Sequence, residues 1–337
     1  MTNRRWKIVR TDRELEMSRV DEQLRAMGAQ LVVLPDGVKE AQLAHEVADA
    51  DLLLMCYSKI TRRVIESATR LKAIIKYGVG IDAIDIDAAR EHGIPVVNIP
   101  QYAEETVAEG AFALIMALAK RFKPIQHAMQ QDGWAWPEQR WLASDLAGKT
   151  LGLIGVGRIG SSMARMAGAF RMRVLGFDPH LADMPVERHH DLGAMIAACD
   201  FVSVHCVLNT QTRGLIGAAE LSRMKRTACL VNVSRGEIVD ESALLAALQD
   251  RRIAGAALDV YSREPLAKTG HPLSPMYAMD NVMLWPHMTF YTHEAMKRLE
   301  DETIERCLEA LEGRPLTVKS RDPRLLAQTR GVRFDFQ

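Results

Sequence analysis

Three polar residues in the second half of the chain each follow a short apolar run. Arg235 follows Leu230-Val-Asn-Val-Ser234, Glu264 follows the run ending Asp259-Val260-Tyr261, and His287 follows Leu284-Trp285-Pro286. The three types make a working set. A histidine titrates near neutrality and can exchange a proton. A carboxylate against its other nitrogen fixes the tautomer and stabilises the imidazolium. An arginine grips a carboxylate through two parallel hydrogen bonds and polarises a neighbouring oxygen. Oxidising a 2-hydroxy acid needs these functions, because it removes a hydride from C2 and a proton from the hydroxyl. Taken singly, each residue is more often an exposed or structural group. Their order on successive strand-like runs makes them candidates.

Such a step needs a hydride carrier. The run Thr150-Leu-Gly-Leu-Ile-Gly155-Val-Gly157-Arg-Ile-Gly160 contains GxGxxG, a weak motif alone. Here it follows a strand-like run and opens a helix-like one, the context in which it binds a dinucleotide. Gly155 permits a tight turn, Gly157 lets backbone approach a pyrophosphate, and Gly160 lets helix and strand pack closely. The helix N-terminus offers N–H groups to the phosphates. Asp178 ends the next strand-like run, 18 positions after Gly160. Its carboxylate can accept from both adenine-ribose hydroxyls and would repel a 2′-phosphate. The expected cofactor is NAD. A glycine-rich turn that binds nothing, with Asp178 capping a turn before Pro179, is the alternative.

These residues need a scaffold of parallel strands. A first array of strand-like runs covers 6–10, 30–34, 51–56, 73–77 and 95–99, with helix-like stretches at 12–27, 38–48, 61–70 and 85–92. A long helix-like segment, 104–122, leads into 132–145, which carries Trp134, Trp136 and Trp141 and fits neither array. The second array has strand-like runs at 150–154, 173–177, 201–205, 229–233, 255–260 and 282–285. Its helices fit 159–170, 192–198, 218–224 and 241–248, and a last helix-like run covers 292–312. Short apolar strands alternating with helices imply parallel sheets covered on both faces. The expected fold class is α/β: two Rossmann-like or flavodoxin-like doubly wound parallel-sheet domains with a cleft between them. In such sheets ligands bind beyond the carboxyl ends of the strands, where Arg235, Glu264 and His287 fall.

Composition narrows the function classes. The 337 residues suit two domains, and 48% hydrophobic residues argue against disorder. Lys+Arg and Asp+Glu are both 43, so no basic footprint for nucleic acid or an anionic membrane exists. The five cysteines show no CxxC, so neither a disulfide scaffold nor a metal site is expected. The start, MTNRRWKIVRTDRELE, is too charged for a secretory signal, and the most apolar run, 111–119, is too short to span a bilayer. A cytoplasmic location is expected.

Longer motifs carry a resemblance. GVGRIG at 155–160, Met224-Lys225, LVNVSRGEIVDESALLAAL at 230–248, IAGAALDVYSREP at 253–265 and WPH at 285–287 resemble the D-2-hydroxyacid dehydrogenase family. The likeness covers nearly the whole chain. It implies that Arg235 binds substrate, Glu264 supports the histidine and His287 is the acid/base. Asp259 is similar to the family's nicotinamide-binding aspartate. Val233 and Ser234 would lie against the nicotinamide end, with Arg158 and Ile159 in the glycine loop. KYGVGIDAID at 76–85, NIPQYAEETVAE at 98–109, HCVLN at 205–209 and PHMTFYT at 286–292 most resemble the branch containing the C-terminal-binding proteins. By that likeness Lys76 faces substrate, with Tyr77, Gly78, Val79 and Phe290 beside it. Thr106 and the Cys206, Val207 to Thr212 loop lie near the cofactor phosphates.

The resemblance also implies a discontinuous substrate domain, 1–101 plus 291–337, around a cofactor domain at 102–290. The segment at about 104–145 would be a dimerisation arm, making the protein a homodimer. Three departures touch substrate choice. Val207 replaces a common Pro. Lys76 replaces Arg, turning a fork into a point charge. Met288 and Thr289 replace a small pair, with Phe290 where the branch often has Trp. The expected activity is hydride transfer between NAD and C2 of a small D-2-hydroxy or 2-keto acid. An NAD-sensing corepressor-like binding protein on the same fold is the alternative.

Overall fold

The computed structural model describes residues 6–336. In chain order, β1 (Lys7–Arg10), α1 (Ser18–Ala26), β2 (Gln30–Val33), α2 (Glu40–Val47), β3 (Leu52–Met55), α3 (Arg62–Ser67), β4 (Ala73–Lys76), α4 (Ile86–Glu91) and β5 (Val96–Asn98) alternate. All strand pairs are parallel, in the order β2-β1-β3-β4-β5. This is the flavodoxin-like doubly wound order. β3 reads Leu-Leu-Leu-Met and is buried throughout, as a strand covered on both faces must be. Thr61 and Asp85 cap α3 and α4 by accepting from the N–H groups of Val64 and Ala88.

The middle of the chain begins with α5 (Glu104–Ala119) and α6 (Phe122–Asp132). It continues through β6 (Thr150–Ile154), α7 (Arg158–Ala169), β7 (Arg173–Phe177), β8 (Glu187–Arg188), α8 (Leu192–Ala198) and β9 (Phe201–Val204). α9 (Ala218–Arg223), β10 (Cys229–Asn232), α10 (Glu241–Gln249), β11 (Gly255–Leu258) and β12 (Val282–Leu284) complete it. Its seven parallel strands run β12-β11-β10-β9-β6-β7-β8. Counted from β6, this is the dinucleotide-binding order, extended by one strand at β12. The order reverses between β6 and β9, and the glycine loop follows β6. Apolar cores lie on both faces, one around Leu230, Leu244 and Leu258, the other around Ile115, Leu153 and Met163.

The chain ends with α11 (His293–Leu311), β13 (Leu316–Val318), α12 (Pro323–Leu326) and β14 (Val332–Phe334). Two compact units result: residues up to Ala103 with those from Thr292 on, and Glu104–Tyr291. Within the first unit, Gln328 closes the edge of β5. Its Oε1 accepts from the Val96 N–H at 2.7 Å, and its Nε2 donates to the Val96 carbonyl at 2.9 Å. Among the described residues no helix is long and apolar enough to cross a membrane.

The elements depart from the sequence expectation in four places. The helix expected over 12–27 starts only at Ser18, because Asp12 takes a left-handed φ of 58° and its buried carboxylate collects N–H groups from residues 56–58. The segment expected as one helix over 104–122 stops at Ala119, and Arg121 at φ 54° turns the chain into α6. The second sheet has seven strands rather than six, since the two-residue β8 pairs on its edge. β13 and β14 form a further small parallel sheet that was not expected.

Candidate active site

The glycine loop fits a dinucleotide. Gly155 sits at φ 88°, and a Cβ there would lie 2.6 Å from the Cys206 nitrogen. A Cβ on Gly160 would lie 2.3 Å from the Gly155 carbonyl oxygen, so the helix could not start so close to the loop. A Cβ on Gly157, by contrast, would meet nothing within 4 Å. That open face lies at the N-cap of the 12-residue α7, where N–H groups and the helix dipole favour phosphate.

Asp178 stands half-buried just past β7. Its Oδ2 accepts from the Val156 N–H and its Oδ1 from the His180 N–H, each at 3.0 Å. The carboxylate therefore ties the glycine loop to its own turn, and each oxygen retains further acceptor capacity for a ribose hydroxyl. Arg158, first residue of α7, donates to Glu104 at 3.0 Å. Ile159 follows it in the same first turn, half-buried.

The loop after β9 is self-ordered. Thr212 Oγ1 donates to the Val207 carbonyl at 2.6 Å and accepts from the Asn209 N–H at 2.8 Å. Val207 itself is 69% exposed. Burial pushes the Cys206 thiol up to about 11, so it stays protonated at neutral pH. Its carbonyl accepts from the Ser234 hydroxyl, which joins this loop to the one after β10. Val233 and Thr106 are buried.

The three polar strand-end residues lie on the loops after β10, β11 and β12. Glu264 Oε2 accepts from His287 Nδ1 at 2.8 Å, and Oε1 accepts from the Tyr261 N–H at 3.0 Å. Burial works against the Glu264 charge, but the His287 hydrogen bond and charge, the Tyr261 N–H and the Arg235 charge outweigh it. The carboxyl is held below the usual glutamate range. An ionised carboxylate only accepts, so His287 carries its hydrogen on Nδ1. Arg235 is half-buried, with Nη1 donating to the Ser234 carbonyl at 2.7 Å. Asn232 fixes the backbone around it: Nδ2 donates to the Arg235 carbonyl at 2.8 Å, and Oδ1 accepts from the Ser234 N–H at 3.1 Å.

Asp259 is fully buried and holds the turn that carries His287. Its carbonyl accepts from the His287 N–H at 2.7 Å, its Oδ1 from the Met288 N–H at 2.8 Å, and its Oδ2 from the Thr289 N–H and hydroxyl at 3.1 and 2.6 Å. This set holds His287 at φ 56°, a left-handed conformation uncommon outside glycine but among those histidine adopts more readily. Phe290 is buried with its ring edge-on to the imidazole, centroids 6.4 Å apart.

In the first unit, Lys76 at the end of β4 is buried. Its Nζ donates to the Cys56 carbonyl at 2.8 Å and lies 3.1 Å from the Cys56 Sγ. Tyr77 is fully buried, with its hydroxyl donating to the Thr11 carbonyl at 2.6 Å. It packs in the core of this unit. Gly78 leaves room for the lysine, since a Cβ there would come 2.8 Å from Nζ, and Val79 is exposed. Sequence reasoning missed Asp12 and Asn232 and noted Thr289 only as a departure bearing on substrate choice, yet all three side chains shape these loops. Only Asp12 carried a signal, an acidic residue just past a strand end.

A model of the D-isomer specific 2-hydroxyacid dehydrogenase NAD-binding domain matches residues 112–289. A glyoxylate reductase of Korarchaeum cryptofilum is 38% identical over 273 residues, covering 79% of this chain and 81% of its own. A D-3-phosphoglycerate dehydrogenase of Methanocaldococcus jannaschii is 36% identical over 288 residues, 84% of this chain. The chain spans only about half of that relative, 54% of its length. Among solved structures, a Thermus thermophilus protein superposes with TM-score 0.84 at 34% identity, over 91% of this chain and 97% of its own. The Aquifex aeolicus D-lactate dehydrogenase, solved with NAD and lactic acid, gives 0.81 at 29% identity, over 96% and 98%. With the glycine loop, the Asp178 turn and the Glu264–His287 pair in one strand-end constellation, and with these relatives, the chain belongs to the D-isomer specific 2-hydroxyacid dehydrogenase family and carries its NAD-binding domain.

Proposed function

We propose that the protein is an NAD-dependent D-2-hydroxyacid dehydrogenase acting between a small D-2-hydroxy acid and the matching 2-keto acid. The 2.8 Å bond from His287 Nδ1 to the Glu264 carboxylate carries this reading. It sets the tautomer and stabilises the imidazolium, so that Nε2 exchanges the proton with the substrate's C2 oxygen. Arg235 binds the substrate carboxylate and polarises the C2 oxygen. A nicotinamide cofactor, when bound, would supply the hydride-transfer chemistry at C2. The residues that would hold the cofactor are Gly155, Gly157, Arg158, Ile159 and Gly160 at the pyrophosphate and Asp178 at the adenine ribose. Thr106, Cys206, Val207 and Thr212 would lie near the phosphates, with Val233, Ser234 and Asp259 toward the nicotinamide.

Phe290 beside the imidazole favours a compact substrate. A second contact from Lys76 and its neighbours Tyr77, Gly78 and Val79 rests on the family likeness. If Lys76→Ala leaves KM unchanged for every acid tried, Lys76 does not contact substrate.

The arm is the support for a homodimer. Trp134 and Trp136 are 60% and 72% exposed and Leu142 is 65% exposed, a concentration of apolar surface that a partner would cover. A monomer by light scattering at micromolar concentration would refute it. The five free thiols suit a reducing, cytoplasmic setting. The activity is tested by following NADH absorbance with a panel of 2-keto acids. Turnover is expected with at least one short-chain acid. Tight NADH binding without turnover on any of them would overturn the proposal.

A further inference from the structure

Arg188 stands beside the turn that Asp178 opens. β8 pairs in parallel with β7, placing Arg188 opposite Gly176. Its guanidinium reaches back to the turn, where Nη1 donates to the Asp178 carbonyl at 3.4 Å and Nη2 donates to the Leu181 carbonyl. The side chain is half-buried. Among the described residues no carboxylate lies within ion-pair distance of it, and the adjacent Glu187 is taken by Arg173. Backbone carbonyls orient a guanidinium without neutralising it. The fork keeps its full charge and has donors left for an anion.

Other positions are less suited to the role. Arg158 is paired with Glu104 at 3.0 Å, and residues 179–182, Pro-His-Leu-Ala, contain no Lys or Arg. We propose that Arg188 is a second determinant of cofactor choice: it is the positive group that a 2′-phosphate would meet, and Asp178 alone keeps NADPH out. The proposal rests on the reading that the adenine ribose lies against Asp178. Removing that carboxylate does two things at once. It deletes the like charge, and it releases the Val156 and His180 N–H groups that the carboxylate now holds. A phosphate would then find two backbone donors and one guanidinium around a single turn.

The test is calorimetric binding of adenosine 2′,5′-bisphosphate and of 5′-AMP, read as the ratio of their affinities. Asp178→Ala should raise the ratio toward the bisphosphate by about tenfold or more, the scale of a charge-assisted hydrogen bond. Adding Arg188→Gln should remove that gain, while adding Arg188→Lys should keep part of it. His180→Ala in the same background is the control for the other basic side chain on the turn. If Arg188→Gln leaves the ratio where Asp178→Ala put it, or if His180→Ala alone abolishes the gain, the assignment to Arg188 is overturned. Should the double variant not fold, the ratio is read in Arg188→Gln and Arg188→Lys singly. Gln should lower it more than Lys does, and equal ratios would overturn the proposal. If 5′-AMP binds Asp178→Ala as it binds the wild type, the placement of the ribose against Asp178 fails, a result distinct from any failure of Arg188.

Discussion

Replacing Glu264 by Gln changes one oxygen to an amide nitrogen and keeps the shape. The structure fixes which way the amide must turn. The position now held by Oε1 accepts from the Tyr261 N–H, so the Gln oxygen belongs there and its NH2 faces His287 Nδ1. An amide N–H donating to Nδ1 forces the ring hydrogen onto Nε2, the wrong nitrogen for accepting the substrate proton. The imidazolium also loses its charged partner. Both side chains are under a third exposed, so solvent screens the pair only in part. A charge-assisted hydrogen bond is worth about 1.5–3 kcal/mol, which is about 10- to 150-fold in rate. Glu264→Gln should therefore lower kcat on the best 2-hydroxy acid by at least tenfold, with NADH affinity preserved. It should also move the ionisation seen in the kcat profile to lower pH, because the neutral imidazole is favoured. Steady-state kinetics across pH, with NADH titration as the folding control, measures both. A kcat within about threefold of wild type, with an unmoved profile, would refute the argument that Glu264 sets the His287 tautomer and charge.

Four further outcomes follow from the same geometry. His287→Asn should cut kcat by about 10²–10⁴-fold while NADH still binds, and near-wild-type turnover would remove His287 from the acid/base role. Arg235→Lys keeps the charge but loses the fork, so KM for the acid should rise by about tenfold or more; unchanged kinetics would exclude two-point binding. Gly160→Ala drives a methyl toward the Gly155 carbonyl, and overpacking on the scale of about 1–3 kcal/mol should weaken NADH binding measurably in a fluorescence titration. Glu264 is held below its ordinary value of 4.5, so its pairing stabilises the fold fully above that pH and is lost as pH falls through the lower folded value. The melting-temperature gap between wild type and Glu264→Gln should narrow as pH falls below 4.5.

The strands that build the cofactor site were legible because their sequences admit little else. Thr150–Ile154 and Arg173–Phe177 are bounded apolar runs, and both strands span those residues in the structure. Their parallel pairing puts Asp178 next to the glycine loop, so one motif and one strand end predicted the pair. β8 escaped notice because Glu187-Arg188 is polar and two residues long, with no periodicity to read. The break at Arg121 offers no glycine to read, because the decision lies in one left-handed arginine between Lys120 and Phe122. Lys76 and Tyr77 show the same limit. The resemblance named them as substrate neighbours, but their contacts with residues 56 and 11 come from distant strand ends and could not be read from the local sequence. Asp259 could be placed at a strand end, but its bonds to residues 30 positions onward depend on the fold.

Gln328 bonds to both the N–H and the carbonyl of Val96, standing in for a neighbouring strand at the open edge of β5. During synthesis this edge is made 232 residues before the side chain that covers it. A nascent chain that has already formed the first five strands presents an unpaired strand edge throughout translation of the whole cofactor unit. An exposed edge is a template for intermolecular pairing. The discontinuous layout thus leaves this edge without its Gln328 cover until α12 and its following turn are delivered.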